Sequence, residues 1–169
     1  QRAGIASKLV DYAGFPVDSA TLSANALVNP EGTLPVLVVA NNLYHDFART
    51  RTLGELAAAQ ATAQGKRVVV LVLGGLSGSA FRDQRPFADD AIANETEDEW
   101  NRRVLKLIEQ RDVDELLRQL PDYLAQARTD MGFKHFAFAL GALGGRLGKT
   151  QVYAYGPQYG SGAAVIRLL

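Results

Sequence analysis

At 169 residues the chain has the length of one domain and can bury a sizeable core. Its 18 basic and 18 acidic side chains cancel, with no run of like charge, which argues against nucleic acid or an anionic membrane as partner. No apolar run reaches the roughly 20 residues that span a bilayer, and with no cysteine there is no disulfide, thiolate metal site or thiol nucleophile. A cytoplasmic globular protein is the expectation. Gln1 is not an initiator methionine, and the residues after it lack the profile of a secretion signal, so upstream processing or an unrecorded upstream stretch is expected.

Residues 1–13 are expected to form a short helix with Ile5, Leu9 and Tyr12 on one face. Gly14-Phe15-Pro16 breaks it, and Asp18 or Ser19 can cap a second helix over 20–28. Leu34-Pro35-Val36-Leu37-Val38-Val39-Ala40 is a continuous apolar run, the pattern of a strand covered on both faces. The alanine-rich stretch 53–64 predicts a helix closed at Gly65. Residues 67–73 predict a second buried strand, which runs into the glycine-rich loop Gly74-Gly75-Leu76-Ser77-Gly78-Ser79.

Residues 82–96 are polar and irregular, a long loop or lid. Thr96-Glu97-Asp98-Glu99 matches a capping box for a helix to about Gln110, with Trp100, Val104, Leu107 and Ile108 on one face. A helix over 112–127 should break or kink at Pro121. A third, apolar helix spans 133–143 and ends at Gly144-Gly145. Two final apolar stretches, 151–155 and 163–168, flank a glycine-rich turn. Alternating strands and helices give the α/β class, a three-layer α/β/α sandwich around a mixed central sheet, in one domain over 1–169.

Candidate reactive groups are few. A two-histidine, one-carboxylate iron site could draw only on His45 and His135, with Asp46 or Glu95 as the carboxylate, and no ligand spacing supports it. His135 reads better at the margin of an apolar helix, and His45 as a hydrogen-bonding loop residue. Gly156-Pro157-Gln158-Tyr159-Gly160-Ser161-Gly162 lacks the lysine and following helix of a phosphate loop, which leaves a tight turn. Gly74-Gly75 serves close backbone approach. Ser77 and Ser79 lack a partnered base in sequence. Glu95, Glu97, Asp98 and Glu99 suit a helix start, and Arg102 and Arg103 a solvated face.

The strand-to-loop passage from Val68 to Phe81 resembles the corresponding turn of the type III extradiol, protocatechuate 4,5-dioxygenase-like ring-cleaving dioxygenases. Gly14-Phe15-Pro16-Val17-Asp18 and Asn41-Asn42-Leu43-Tyr44-His45 extend the likeness. So do Ile92-Ala93-Asn94-Glu95, the stretch from Trp100 to Glu109, Asp130 to His135, and Tyr155 to Ile166. These segments are similar to the non-catalytic α subunits of the aminophenol-cleaving branch, which pair with a catalytic paralogue, the β subunit, in an α2β2 assembly.

The resemblance implies that the chain is the C-terminal part of such a fold, without its N-terminal portion, where the family's two histidine ligands lie. It implies no catalytic, cofactor-binding or metal-binding residue here. The position of the family's proton-handling histidine falls on Gly78, that of its glutamate ligand on Gly132 or Phe133, and its Asp-His-Gly is replaced by Asp11-Tyr12-Ala13-Gly14. Fe(II) and the aromatic substrate would then belong to the partner subunit. Two alternatives stand beside this expectation. One is an active iron enzyme with ligands in an N-terminal part and Glu95 as carboxylate; the other is a small-molecule binding module that reuses the fold.

Overall fold

The computed structural model describes residues 4–5, 8–40 and 43–169. Five helices and one hairpin make up its regular elements: α1 (Ser19–Val28), α2 (Phe47–Ala63), α3 (Glu95–Gln110), α4 (Val113–Gln126), α5 (Lys134–Ala142), β1 (Gln151–Gln158) and β2 (Ser161–Arg167). The α/β class holds. None of the helices is long and apolar enough to cross a membrane.

The core forms where helical periodicity is strongest. Val104 and Ile108 of α3, Leu116, Leu120 and Tyr123 of α4, and Phe133, Phe136 and Leu140 beside and within α5 are buried in one cluster with Leu76 and Leu147. Each such fully buried aliphatic side chain contributes about 2 kcal/mol relative to exposure. The hairpin packs Val152, Tyr155, Ala164 and Ile166 against this cluster. Helices α2 and α5 cross where both lack a side chain. A Cβ at Gly54 would collide with the carbonyl of Phe138, and one at Gly141 with that of Arg51.

Several boundaries differ from expectation. Helix α3 is capped by Asn94, not Thr96: its side chain accepts from Glu97 N at 2.9 Å, while its own amide donates to Glu97 Oε1 at 3.0 Å. Glu97 thus answers the cap through the Asn94 side-chain Nδ2 and not through its backbone N–H, two residues before the expected box. Helix α2 begins six residues before Leu53, because Asp46 Oδ1 accepts from Arg49 N at 2.7 Å. Pro121 does not break α4. It costs the bond to the Leu117 carbonyl, and the buried face of Leu116, Leu120 and Tyr123 holds the helix together across the gap. The glycine-rich turn shrinks to Tyr159-Gly160, both at positive φ, as a two-residue hairpin requires.

The larger difference lies earlier in the chain. Residues 34–40 and 67–73 carry the predicted strand sequences but join no ladder, and the sheet among the described residues is the antiparallel β1–β2 pair alone. Val36, Leu37, Val38, Val68, Val69 and Leu71 lie exposed. A strand of this pattern needs neighbours on its edges and layers on both faces, and the described residues supply neither. Residues 8–13 are not helical, and Gln1 to Ala3, Ala6 and Ser7 of that expected helix lie outside the described residues, as do Asn41 and Asn42.

Candidate functional site

The glycine loop that follows residues 67–73 is tied to β2 and to the segment between α4 and α5. Leu76 N donates to Gly162 O at 2.8 Å, and Leu76 O accepts from Asp130 N at 3.0 Å. Gly75 N donates to Asp130 Oδ2 at 2.9 Å, and Gly78 N to Ala127 O at 3.3 Å. The loop is therefore wedged between the start of β2 and the α4–α5 connection.

Side chains from α3 and α4 complete the wedge. Ser77 is fully buried, and its Oγ accepts from Asn101 Nδ2 at 2.9 Å and from Gly162 N at 3.0 Å. Tyr123 OH donates to Asn101 Oδ1 at 3.1 Å, and burial pushes that phenol well above its ordinary range. Two residues on, Ser79 Oγ donates to the buried Glu97, whose second oxygen accepts from Ser79 N at 3.4 Å. The expected helix-start acid thus fastens the loop as well as α3.

At the rim, Tyr155 OH donates to Asp98 Oδ1 at 2.5 Å and Arg102 Nε donates to Asp98 Oδ2 at 3.0 Å. Burial would raise Asp98, but these two bonds outweigh it and hold the carboxyl below its usual range. Burial first, and then the bond to Asp98, pushes Tyr155 up to about 12. Arg102 lies over the Tyr155 ring at 5.1 Å and Arg103 over Trp100 at 4.8 Å, so both arginines line aromatic faces.

The remaining candidates do not converge. His135, the second residue of α5, packs its ring under Gly74, where a Cβ would lie 2.5 Å from Nδ1. Its Nδ1 is buried without a hydrogen-bond partner among the described residues, and burial, only partly offset by Asp130, lowers its pKa. His45 offers its carbonyl to Lys134 Nζ at 3.1 Å. Asp46 caps α2, while Glu95 and Glu99 are exposed on α3. No three His, Asp or Glu side chains gather as a metal site among the described residues.

Two backbone features shape the site further. A Cβ at Gly78 would collide with the carbonyl of Arg128, so main chain already fills the space a side chain there would use. Met131, Gly132 and Phe133 all hold positive φ (46°, 65° and 58°), at about 1–2 kcal/mol each for the two non-glycine residues. Packing sustains this: the Phe133 ring stacks on Phe136 at 4.8 Å and meets Tyr123 edge-on at 5.4 Å. Asn101 and Tyr123 were not singled out from sequence, Asp130 entered only within a segment of the resemblance, and Gly162 only as part of a tight turn. The Asn94-x-x-Glu97 spacing was the one local signal available.

Residues 17–166 match the family described as the catalytic LigB subunit of aromatic ring-opening dioxygenase. The chain belongs to this LigB family. Across 165 residues it is 44% identical to a 2-aminophenol 1,6-dioxygenase alpha subunit from Pseudomonas sp., covering 97% of this chain and 61% of the relative. It is 24% identical over 177 residues to a 2-aminophenol 1,6-dioxygenase beta subunit from Pseudomonas sp., covering 98% of this chain and 58% of that relative. This LigB-family chain thus spans about three-fifths of the length of the curated relatives it matches.

Proposed function

We propose that the chain acts as a non-catalytic, α-type subunit of a heteromeric cytoplasmic dioxygenase that opens 2-aminophenol-type rings with O2. Its role is to stabilise a paralogous, Fe(II)-bearing β-type subunit, with α2β2 as the assembly. The observation that carries this is the contrast in likeness, 44% to an α subunit against 24% to a β subunit over nearly the whole chain. The loop geometry supports it. Gly78 offers no group for proton transfer, and the Arg128 carbonyl blocks a side chain there.

The residues described do not fit an iron site. His135 is turned under Gly74, His45 contributes a backbone carbonyl, and neither meets a carboxylate pair. On the resemblance, the family's carboxylate ligand falls on Gly132 or Phe133, and neither a hydrogen nor the buried Phe133 ring can bind iron. No catalytic step is assigned to this chain. Residues 34–40 and 67–73 serve in this reading as strands of a central sheet, between helical layers, in the complete fold.

The test is reconstitution. A β-type subunit expressed alone and with this chain is assayed for iron content and for ring opening of 2-aminophenol. Iron should travel with the β-type subunit, and its activity should last longer when this chain is present. Stoichiometric iron on this chain alone would overturn the proposal and point to Glu95, His45 and His135 as the residues to mutate.

A further inference from the structure

Residues 67–73 are bonded to no neighbour, but the chain they lead into already runs beside the hairpin. Leu76 N donates to Gly162 O at 2.8 Å and Phe81 N to Tyr159 O at 3.1 Å, so the partner's number falls as the chain's number rises. That is the antiparallel sense. Gly162 turns both backbone groups away from β1, its N–H to Ser77 Oγ at 3.0 Å and its carbonyl to Leu76. These directions alternate along a strand, so Ala164 and Ile166 present their groups on the same outer edge. Beyond Gly162, β2 makes no backbone hydrogen bond outside the hairpin among the described residues. The edge is half-buried and unmatched, which is the state that a further strand relieves.

We infer that residues 70–74 are a strap that closes on this edge as a third strand, antiparallel to β2. Gly74 then lies opposite Ala164, Val72 opposite Ile166 and Val70 opposite Leu168. The inference rests on the strand role given above to 67–73 and adds its neighbour, direction and register. The bond from Leu76 to Gly162 sets that register, and the faces agree with it. Opposed residues share a face, and Ala164, Ile166 and Leu168 pack against the core cluster. Val72 is accordingly half-buried while Leu71 and Leu73 on either side of it are exposed. A Cβ at Gly74 would meet the His135 ring, which lies edge-on to the core residue Phe133 at 5.2 Å. A slip of one residue would turn Val72 outward. A parallel run would carry 70–74 beyond the Tyr159-Gly160 turn, where β2 has ended. Three strands with one packed face are stable where a lone hairpin is marginal, and the closed strap shields β2 from pairing with another chain.

The chain has no cysteine, so an introduced pair reports the register cleanly. Leu73→Cys with Val165→Cys places two exposed side chains opposite each other, about 4.5 Å apart at Cα in a non-hydrogen-bonded pair and within disulfide reach. Leu71→Cys with Val165→Cys shares the face but stands two residues off, about 8 Å apart and beyond that reach. All three side chains are exposed, so the reduced variants should melt with wild type. In a glutathione redox buffer the first pair should form its intrachain disulfide at least tenfold faster than the second. In wild type, hydrogen exchange at the Ala164 and Ile166 amides should be slowed at least tenfold relative to an open strand edge. Equal rates for the two pairs, or freely exchanging amides, would overturn the strap and leave the subunit reading standing. Disulfides formed only between chains would overturn it too, and would make a second copy the occupant of the edge.

Discussion

Residues 76–169 and residues 8–75 both carry runs of valine and leucine, yet one region buries them and the other leaves them exposed. In the later region, helices α3, α4 and α5 bring their apolar faces together, Ser77, Asn101 and Tyr123 satisfy one another inside, and the buried Glu97 takes Ser79. In the earlier region, α2 docks on α5 through Gly54 and Gly141, while 34–40 and 67–73 stay open. A helix completes its own backbone hydrogen bonds and needs only a face to pack on. A strand borrows its hydrogen bonds from neighbours, so an apolar strand sequence without them has nowhere to go.

The strongest way to break the contrast is to push the loop off its seat. Gly78→Ala should cost about 3 kcal/mol, because its Cβ meets backbone at Arg128 that cannot swing away. Urea unfolding of the variant measures it, and a loss near zero would show that the loop is not wedged as described. Tyr123→Phe should cost about 1–2 kcal/mol by leaving Asn101 Oδ1 without its buried donor. The same unfolding curve reads that loss, and an unchanged midpoint would show that Asn101 is served some other way.

A subtler probe is pH. His135 is held neutral below its ordinary 6.5, so the unfolded chain takes up that proton first as pH falls. Its contribution is complete above about 6.5 and drains away below it, while Asp98, held low, loses its own only below its ordinary 3.8. At the alkaline end Tyr155 favours the folded state until pH rises past 10 toward about 12. Melting temperature against pH for wild type and His135→Gln should differ in slope between pH 6.5 and 5, and parallel curves would remove His135 from the account. The smallest effect belongs to the open region. Val69→Ser and Leu37→Ser should change stability by no more than about 0.5 kcal/mol, since both side chains are already exposed. A large loss in either would mean that the apolar runs are covered in solution.

Much was legible along the chain because it depends on near neighbours. Asp18 capping α1, the apolar stripe of α3 and the Gly144-Gly145 stop after α5 all follow from residues within a few positions of one another. So does the blank at Gly78, since glycine has no reagent whatever surrounds it. The sequence alone could not determine what Gly78 faces, that Glu97 reaches across to Ser79, or that Asn101 joins Ser77 to Tyr123, because those partners lie 18 to 50 residues apart and meet only when α3, α4 and the hairpin pack. Nor could it determine whether 34–40 and 67–73 pair. Strand order is a property of the assembled sheet, and pattern fixes only the faces a strand would show.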